Sequence, residues 1–303
     1  MQTPWGNLPV CDAHVHFFSY RFFASLAAQK HVPIDSLSTL LHFTIPPPAA
    51  EDLADVWHAE LDRHQVDRAA LIASMPGDEE SVSAAVARHP DRFRGLFLFD
   101  PTAPDAPARL ETALASGGLH GVCLFPAMHR YSVADERFRF VFDIVRGHPA
   151  TVVFVHCGVL SVGIRAKLGL PSLFDMRFSN PIDLHAVALA YPQLNFIVPH
   201  FGAGYFREAL MLCDLCPNVY LDTSSSNRWM RFQPEAFDLA AVFRRALDVC
   251  GPERLLFGSD SSFLPRGWNQ AIFSVQAQTL FDMGVREAHA ALIFGRNFNR
   301  LFP

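Results

Sequence analysis

Two histidines stand two positions apart at the end of an apolar run, Val10-Cys11-Asp12-Ala13-His14-Val15-His16-Phe17. On a β-strand, residues i and i+2 project from one face, so the two imidazoles share a side. Converging neutral imidazoles suit a divalent cation such as zinc. An isolated His-x-His pair is common on protein surfaces. Here three more polar residues close apolar runs: His156 ends TVVFVH, His200 ends NFIVPH, and Asp260 ends RLLFGSD. Glycine or serine follows each, in His156-Cys157-Gly158, His200-Phe201-Gly202 and Asp260-Ser261. A polar group that terminates a buried strand is costly unless it has partners. For any one histidine a backbone-bonded rim position is the simpler account. The repetition of the pattern points to one shared metal centre.

Such a centre needs elements that bring these ends together. After the first strand, the chain alternates short apolar runs with amphipathic ones. The runs Arg68–Ser74, Arg94–Asp100, Leu119–Pro126, Thr151–Cys157, Asn195–His200, Asn218–Thr223 and Arg254–Asp260 read as strands. Between and after them, Glu51–Gln65, Asp78–His89, Pro104–Ser116, Val133–Arg146, Pro181–Ala190, Tyr205–Cys216, Glu235–Val249 and Asn269–Met283 read as helices. In Glu51–Gln65, for example, Leu53, Val56, Trp57 and Leu61 recur at helical spacing. The strands are continuous apolar runs, as a parallel sheet buried on both faces requires. Eight strand–helix units in a chain of 303 residues describe a (β/α)8 TIM barrel, whose active groups gather at the C-terminal strand ends. A doubly wound open sheet is the competing architecture, but no G-x-G-x-x-G follows the first strand. No domain boundary interrupts residues 1–303, and 17–50 reads as an aromatic-rich insertion at the barrel mouth.

A formal net charge of −5 gives no basic face for nucleic acid. No apolar run approaches the roughly 18 residues of a membrane helix. Met1–Pro9 carries neither a cationic start nor a long apolar stretch, so a cytoplasmic protein is expected. The lone C-x-x-C, Cys213 and Cys216, lies on what looks like the apolar face of a helix. It reads as core rather than as a redox or zinc motif.

The pattern of His14-x-His16, a strand-five His156, His200 in HFGAG and Asp260 in LFGSD resembles the amidohydrolase superfamily. Within it, the chain is most similar to the group that includes aminocarboxymuconate-semialdehyde decarboxylase. The closing ALIFGRNFNRLF resembles that group's terminal helix, and the likeness spans nearly the whole chain. The resemblance implies that His14, His16, His156 and Asp260 are metal ligands, with His200 a ligand or a catalytic partner beside the ion. Binuclear members add a bridging lysine or glutamate at strand three or four. Those ends here read LFLFD and VCLFPAMHR, and Asp100-Pro101 suits a turn, so one ion is expected, zinc first and manganese second. Related barrels also pair, which implies a homodimer.

Hydrolysis is the leading enzymatic reading and decarboxylation its alternative, with a non-catalytic metal-binding barrel as a third. In hydrolysis of a small carboxylated, lactone, ester or amide substrate, Asp260 takes a proton from a metal-activated water and His200 donates to the developing oxyanion. In decarboxylation of an aromatic or enoic acid, the same groups hold the substrate while a carbon is protonated. The second route needs a cation near the substrate carboxylate. Arg21, Arg130, Arg165, Lys167 and Arg266 lie on loops, but Arg228 and His129 follow their strands most closely and are the preferred binders. Phe17 and Trp268, with Tyr131 and Trp229, are candidates for the pocket wall. Asp222 can either orient a ligand histidine or cap its own loop. Asp12, two positions before His14, is expected one layer deeper on the same inward face, as a support.

Overall fold

The computed structural model describes residues 1–303 except 173, 225–226 and 234–236, together with the side chain of Asn227. The expected start of a helix at Glu235 lies outside the described residues. Eight parallel strands run in chain order: β1 Cys11–Phe17, β2 Arg68–Ala73, β3 Phe93–Phe99, β4 Leu119–Leu124, β5 Val152–Val155, β6 Asn195–Val198, β7 Val219–Asp222 and β8 Leu255–Leu256. Each pairs with its sequence neighbour, as short right-handed crossovers through helices dictate. The ring closes between β1 and the segment after β8. There Ala13 N donates to Phe257 O (2.9 Å) and His16 N to Ser261 O (2.7 Å), and Val15 pairs with Ser261. The expected (β/α)8 barrel is the architecture of the chain.

The expected strand eight, Arg254–Asp260, keeps only two ladder residues against β7, because beyond them Phe257 O and Asp260 N bond to β1 across the closing seam. Two layers of apolar side chains hold the barrel. The lumen is filled by Cys11, Ala70, Leu96, Phe154, Ile197 and Leu256, and its lower end is plugged by Phe298, Leu301 and Phe302 of the closing helix. The outer layer packs the alternate strand residues against helices such as Ala50–His64 and Phe206–Leu215. Each fully buried Leu, Ile or Phe in these layers contributes about 1.5–3 kcal/mol.

β1 is bulged. Its register against β2 runs Asp12↔Ala69 and then Val15↔Leu71, three steps on one strand against two on the other. The extra residue breaks the two-residue alternation. Cys11 and Ala13 therefore face the lumen, while Asp12 turns outward to Trp268. The expected inward position of Asp12 is wrong for this reason.

Segment 17–50 folds into two helices, Tyr20–Lys30 and Ser36–Leu41. Ser19 caps the first, accepting from Phe22 N, and donates to buried Asp78. Phe22, Phe23, Leu26, Leu37 and Leu41 form a separate apolar cluster with Ile164 and Leu168 of the loop after β5. All six cysteines are buried free thiols, in keeping with a core role for Cys213 and Cys216. Among the described residues, no helix is long and apolar enough to cross a membrane.

The terminal GRNFNRLF stretch anchors the barrel through Asn297, whose buried Nδ2 donates to Pro252 O (2.7 Å) and Leu255 O (2.8 Å). Replacing Asn297 with alanine strands both carbonyls. It should lower stability by about 1–3 kcal/mol, read as an earlier urea midpoint; an unmoved midpoint contradicts this role.

Candidate metal centre

The five strand-end residues meet at the C-terminal end of the barrel. His14, His156 and His200 offer ligand atoms within 4.8 Å of one another, and so do His14, His16 and Asp260. His14 Nε2 lies 3.3 Å from His16 Nε2, and Asp260 Oδ1 lies 3.3 Å from His16 Nε2 and 3.9 Å from His14 Nε2. His14 and His156 are buried, whereas 19% of the His16 and 29% of the Asp260 side chain stays open to the mouth.

Three of the imidazoles are oriented through Nδ1. His14 Nδ1 donates to Asp222 Oδ2 at 2.6 Å, His16 Nδ1 lies 2.8 Å from Ser74 Oγ, and His200 Nδ1 lies 2.9 Å from Ser224 Oγ. Each thereby leaves Nε2 for the cluster, the arrangement by which outer partners fix the tautomer of a metal-binding histidine. His156 differs. Among the described residues, both of its ring nitrogens are buried without a hydrogen-bond partner, and the ring is held by aromatic contacts, stacked on Phe125 at 3.7 Å between ring centroids and tilted against Phe154 at 5.2 Å. Leaving two such atoms unpaired is costly, so the doubly orphaned imidazole fits a cation-binding role better than a structural one. The donor set, neutral nitrogens with one carboxylate, suits zinc or manganese.

The electrostatics agree with that fit. Burial, reinforced by the neighbouring His14 and His200, pushes the His156 pKa well below its usual value. Burial likewise lowers His16 and His200. For His14, burial acts downward, but the charge and hydrogen bond of Asp222 outweigh it and raise the pKa. Burial would raise Asp260, yet the hydrogen bond from His16 and the charge of His14 dominate and hold it at about 2. Mostly neutral imidazoles beside an ionised carboxylate are the protonation states that bind a metal.

The backbone at two strand ends is constrained. His200, Phe201 and Ala203 have φ of 56°, 52° and 44°, and Asp260 has φ of 56°. Left-handed non-glycine residues are costly and concentrate at functional sites. Gly258 allows a close approach: a Cβ there would lie 2.5 Å from Asp222 Oδ1 and 2.9 Å from His14 Cβ. Asp222 fulfils both sequence readings at once, since Oδ2 orients His14 while Oδ1 accepts from Ser224 N. Asp12 supports the centre from outside, accepting from His14 N and Ser259 N (3.0 Å each) and from Trp268 Nε1 (2.7 Å). Asp100 caps its own turn by accepting from Thr102 N (2.9 Å), as expected.

Two cavities adjoin the cluster. The first, of about 320 Å³, is lined by His16, His156, His200 and Asp260 and by six phenylalanines, Phe18, Phe22, Phe43, Phe125, Phe174 and Phe263. The second, of about 290 Å³, shares His200 and Asp260 and adds Arg228, Trp229 and Arg231. Arg228 thus lies where an anion binder belongs. The other three expected binders do not line these cavities. Phe17 is buried in the outer layer because it alternates with inward His16, and Trp268 packs in the same layer against Asp12. His129 is held in a short helix, Pro126–His129, with Nδ1 3.8 Å from Asp100 Oδ1. Ser74, Ser224 and Gly258 escaped the sequence reading, as small residues that end strands leave no periodic trace.

The amidohydrolase family model matches residues 11–303. The chain belongs to the amidohydrolase family. Protein fluG of Emericella nidulans is 31% identical over 93 residues, which are 29% of this chain and only 10% of that protein. Two solved amidohydrolase-like structures show the same fold. The 5-carboxyvanillate decarboxylase of Novosphingobium aromaticivorans, complexed with manganese and 4-hydroxy-3-methoxy-5-nitrobenzoic acid, superposes with a TM-score of 0.64 at 15% identity, covering 98% of this chain and 96% of that one. An amidohydrolase of Burkholderia multivorans with bound zinc gives 0.64 at 18% identity, covering 97% and 99%.

Two substitutions test the centre. Asp222→Asn keeps the shape but weakens the grip on His14, and should cost about 10–100-fold in zinc affinity by competitive titration. Gly258→Ala should lower zinc occupancy as well, by displacing His14 or Asp222; full occupancy in both variants would contradict this geometry.

Proposed function

We propose that this chain is a metal-dependent, non-oxidative decarboxylase of a planar aromatic or enoic acid. The observation that carries the reading is the wall of six phenylalanines around the histidine–aspartate cluster. A carboxylate drawn into so apolar a space loses its hydration, whereas carbon dioxide, the neutral product, does not need any. Burial of that kind favours loss of the charge. Stacked phenylalanine faces also suit a flat ring.

In this reading His14, His16, His156 and Asp260 hold one divalent ion, zinc or manganese. When bound, the ion supplies Lewis-acid neutralisation of substrate oxygens. Asp260, ionised and anchored by His16, keeps the charge of the site balanced. His200, with Nδ1 tied to Ser224, presents Nε2 to the cavity and relays a proton from solvent to the ring carbon that bears the carboxylate. The bond between that carbon and the carboxylate then breaks. Its electron pair stays with the ring, carbon dioxide leaves, and one proton is consumed per turnover without any oxidant. Arg228 and Arg231 give an adjoining lobe for a polar or anionic end of the substrate.

Hydrolysis of a lactone, ester or amide is the second reading, favoured by the position of the Asp260 carboxylate at the edge of the cluster, 3.3 Å from His16 Nε2, where a metal-activated water would give up its proton. Segment 17–50, which contributes Phe18, Phe22 and Phe43 to the wall, is assigned to substrate enclosure in either case.

The test is a parallel screen of aromatic and enoic acids, lactones and amides with zinc- or manganese-loaded protein, measuring carbon dioxide against newly released acid. Carbon dioxide from an aromatic or enoic acid supports decarboxylation; acid release alone removes it in favour of hydrolysis. Chelation should abolish turnover and the added metal restore it. Asp260→Asn should lower kcat by about 10²–10⁴-fold, and undiminished turnover would take Asp260 out of the reaction.

A further inference from the structure

The aromatic cavity holds one basic side chain other than its histidines. Lys167 closes the short helix Gly163–Lys167 in the loop after β5. Its Nζ lies 4.9 Å from the ring centroid of Phe43 and 6.0 Å from that of Phe263. Those two rings are themselves stacked, 3.9 Å apart and 13° from parallel. Thr44 N donates to Leu264 O at 2.8 Å, which fastens the segment that carries Phe43 to the loop after Asp260. Ile164 and Leu168, flanking the lysine on the same turn, are buried against the helices of 17–50. The base of the lysine is therefore fixed while its ammonium stays over the two rings.

Among the described residues, no carboxylate lies within ion-pair distance of Lys167. The lining of its cavity contains a single carboxylate, Asp260, which is engaged by His16. An ammonium resting on aromatic faces is attracted to them, yet keeps its hydrogen-bonding capacity unused. Lys167 is exposed at the mouth of this cavity, so an anion that enters can pair with its ammonium directly. A cation of this kind, lining the same cavity as the histidine–aspartate cluster, is positioned to read a charge that the reacting group does not carry.

We propose that Lys167 is a specificity-determining residue that pairs with a second anionic group of the substrate, so that the preferred substrate class is a planar ring bearing two acidic groups. The inference rests on the proposed ring-acid reading of the same cavity. One carboxylate lies at the cluster, and the other meets Lys167 at the rim formed by Phe43 and Phe263.

Binding tests this independently of turnover. Zinc-loaded protein is titrated calorimetrically with benzoate and with benzene-1,3-dicarboxylate, as wild type and as Lys167→Gln, Lys167→Arg and Arg228→Gln. Wild type should bind the dicarboxylate at least tenfold more tightly than benzoate. Lys167→Gln should erase that preference while leaving benzoate affinity and the urea midpoint unchanged, and Lys167→Arg should retain most of it. A purely structural lysine would instead shift benzoate binding and the midpoint together, which overturns the proposal. So does an absent preference in wild type, no binding of either probe, or a preference lost in Arg228→Gln but kept in Lys167→Gln. If no acid yields carbon dioxide but the lysine-dependent preference persists, the decarboxylase reading fails and this assignment stands.

Discussion

The barrel closes at a seam, and the seam is where the chemistry-bearing residues sit. β1 meets the segment after β8 through Ala13 N to Phe257 O, Asp260 N to His14 O and His16 N to Ser261 O, all between 2.7 and 3.0 Å. Every one of these bonds involves a cluster residue or its immediate neighbourhood. Asp12 reinforces the closure from outside, because one carboxylate oxygen spans the seam to both His14 N and Ser259 N. The relative position of His14, His16 and Asp260 is thus a backbone property of the closed ring, more than a property of flexible side chains. The bulge in β1 has the same consequence: the extra residue lets Ala13 and His14 both point inward, freeing Asp12 for its external task.

The side chains then finish what the seam begins. Asp222, Ser74 and Ser224 each take one Nδ1, so that three rings turn Nε2 toward a common space. Oxygen partners on the far nitrogen also raise the basicity of the near one. Among the described residues His156 has no such partner and is gripped by aromatic contacts, chiefly the stacked Phe125. The cluster is consequently asymmetric, with oriented imidazoles on the β1 and β6 side and a single stacked one on the β5 side.

Much of this was legible in the sequence, for a physical reason. A histidine or aspartate that closes a buried apolar run is conspicuous, because its burial must be compensated. His14, His16, His156, His200 and Asp260 all stood out in this way, and the structure brings them together. The eight strand–helix units were legible because both faces of a parallel strand are buried, giving uninterrupted apolar runs. The wall of the cavity was not. Phe17 and Trp268 were plausible only as aromatics after strand ends, and among 28 phenylalanines an aromatic residue carries little positional information. Alternation along β1 sends Phe17 outward, and Phe18, one position later, lines the cavity instead. His129 illustrates a different limit: a short helix after β4 turns it toward Asp100, which no spacing rule anticipates.

The division between these two outcomes reflects how the fold distributes its constraints. Cluster residues are placed by the hydrogen-bonded ring, where a shift of one residue would reverse every side chain on a strand. Beside Ile72 and Leu98 of β2 and β3, the cavity wall comes from segments outside the ring: Phe18, Phe22 and Phe43 before β2, Phe125 after β4, Phe174 and Lys167 after β5, and Phe263 after Asp260. These are positioned by apolar contacts among themselves and by single links such as Thr44 N to Leu264 O. Loops held in that manner tolerate substitution without disturbing the barrel. The reacting centre and the recognition of the substrate are therefore mechanically separate except at Phe125, which lines the cavity and stacks on His156. A change at Phe18, Phe22, Phe43 or Phe263 can alter which ring is accepted while His14, His16 and Asp260 keep their geometry, since none of these phenylalanines contributes to the seam that sets it.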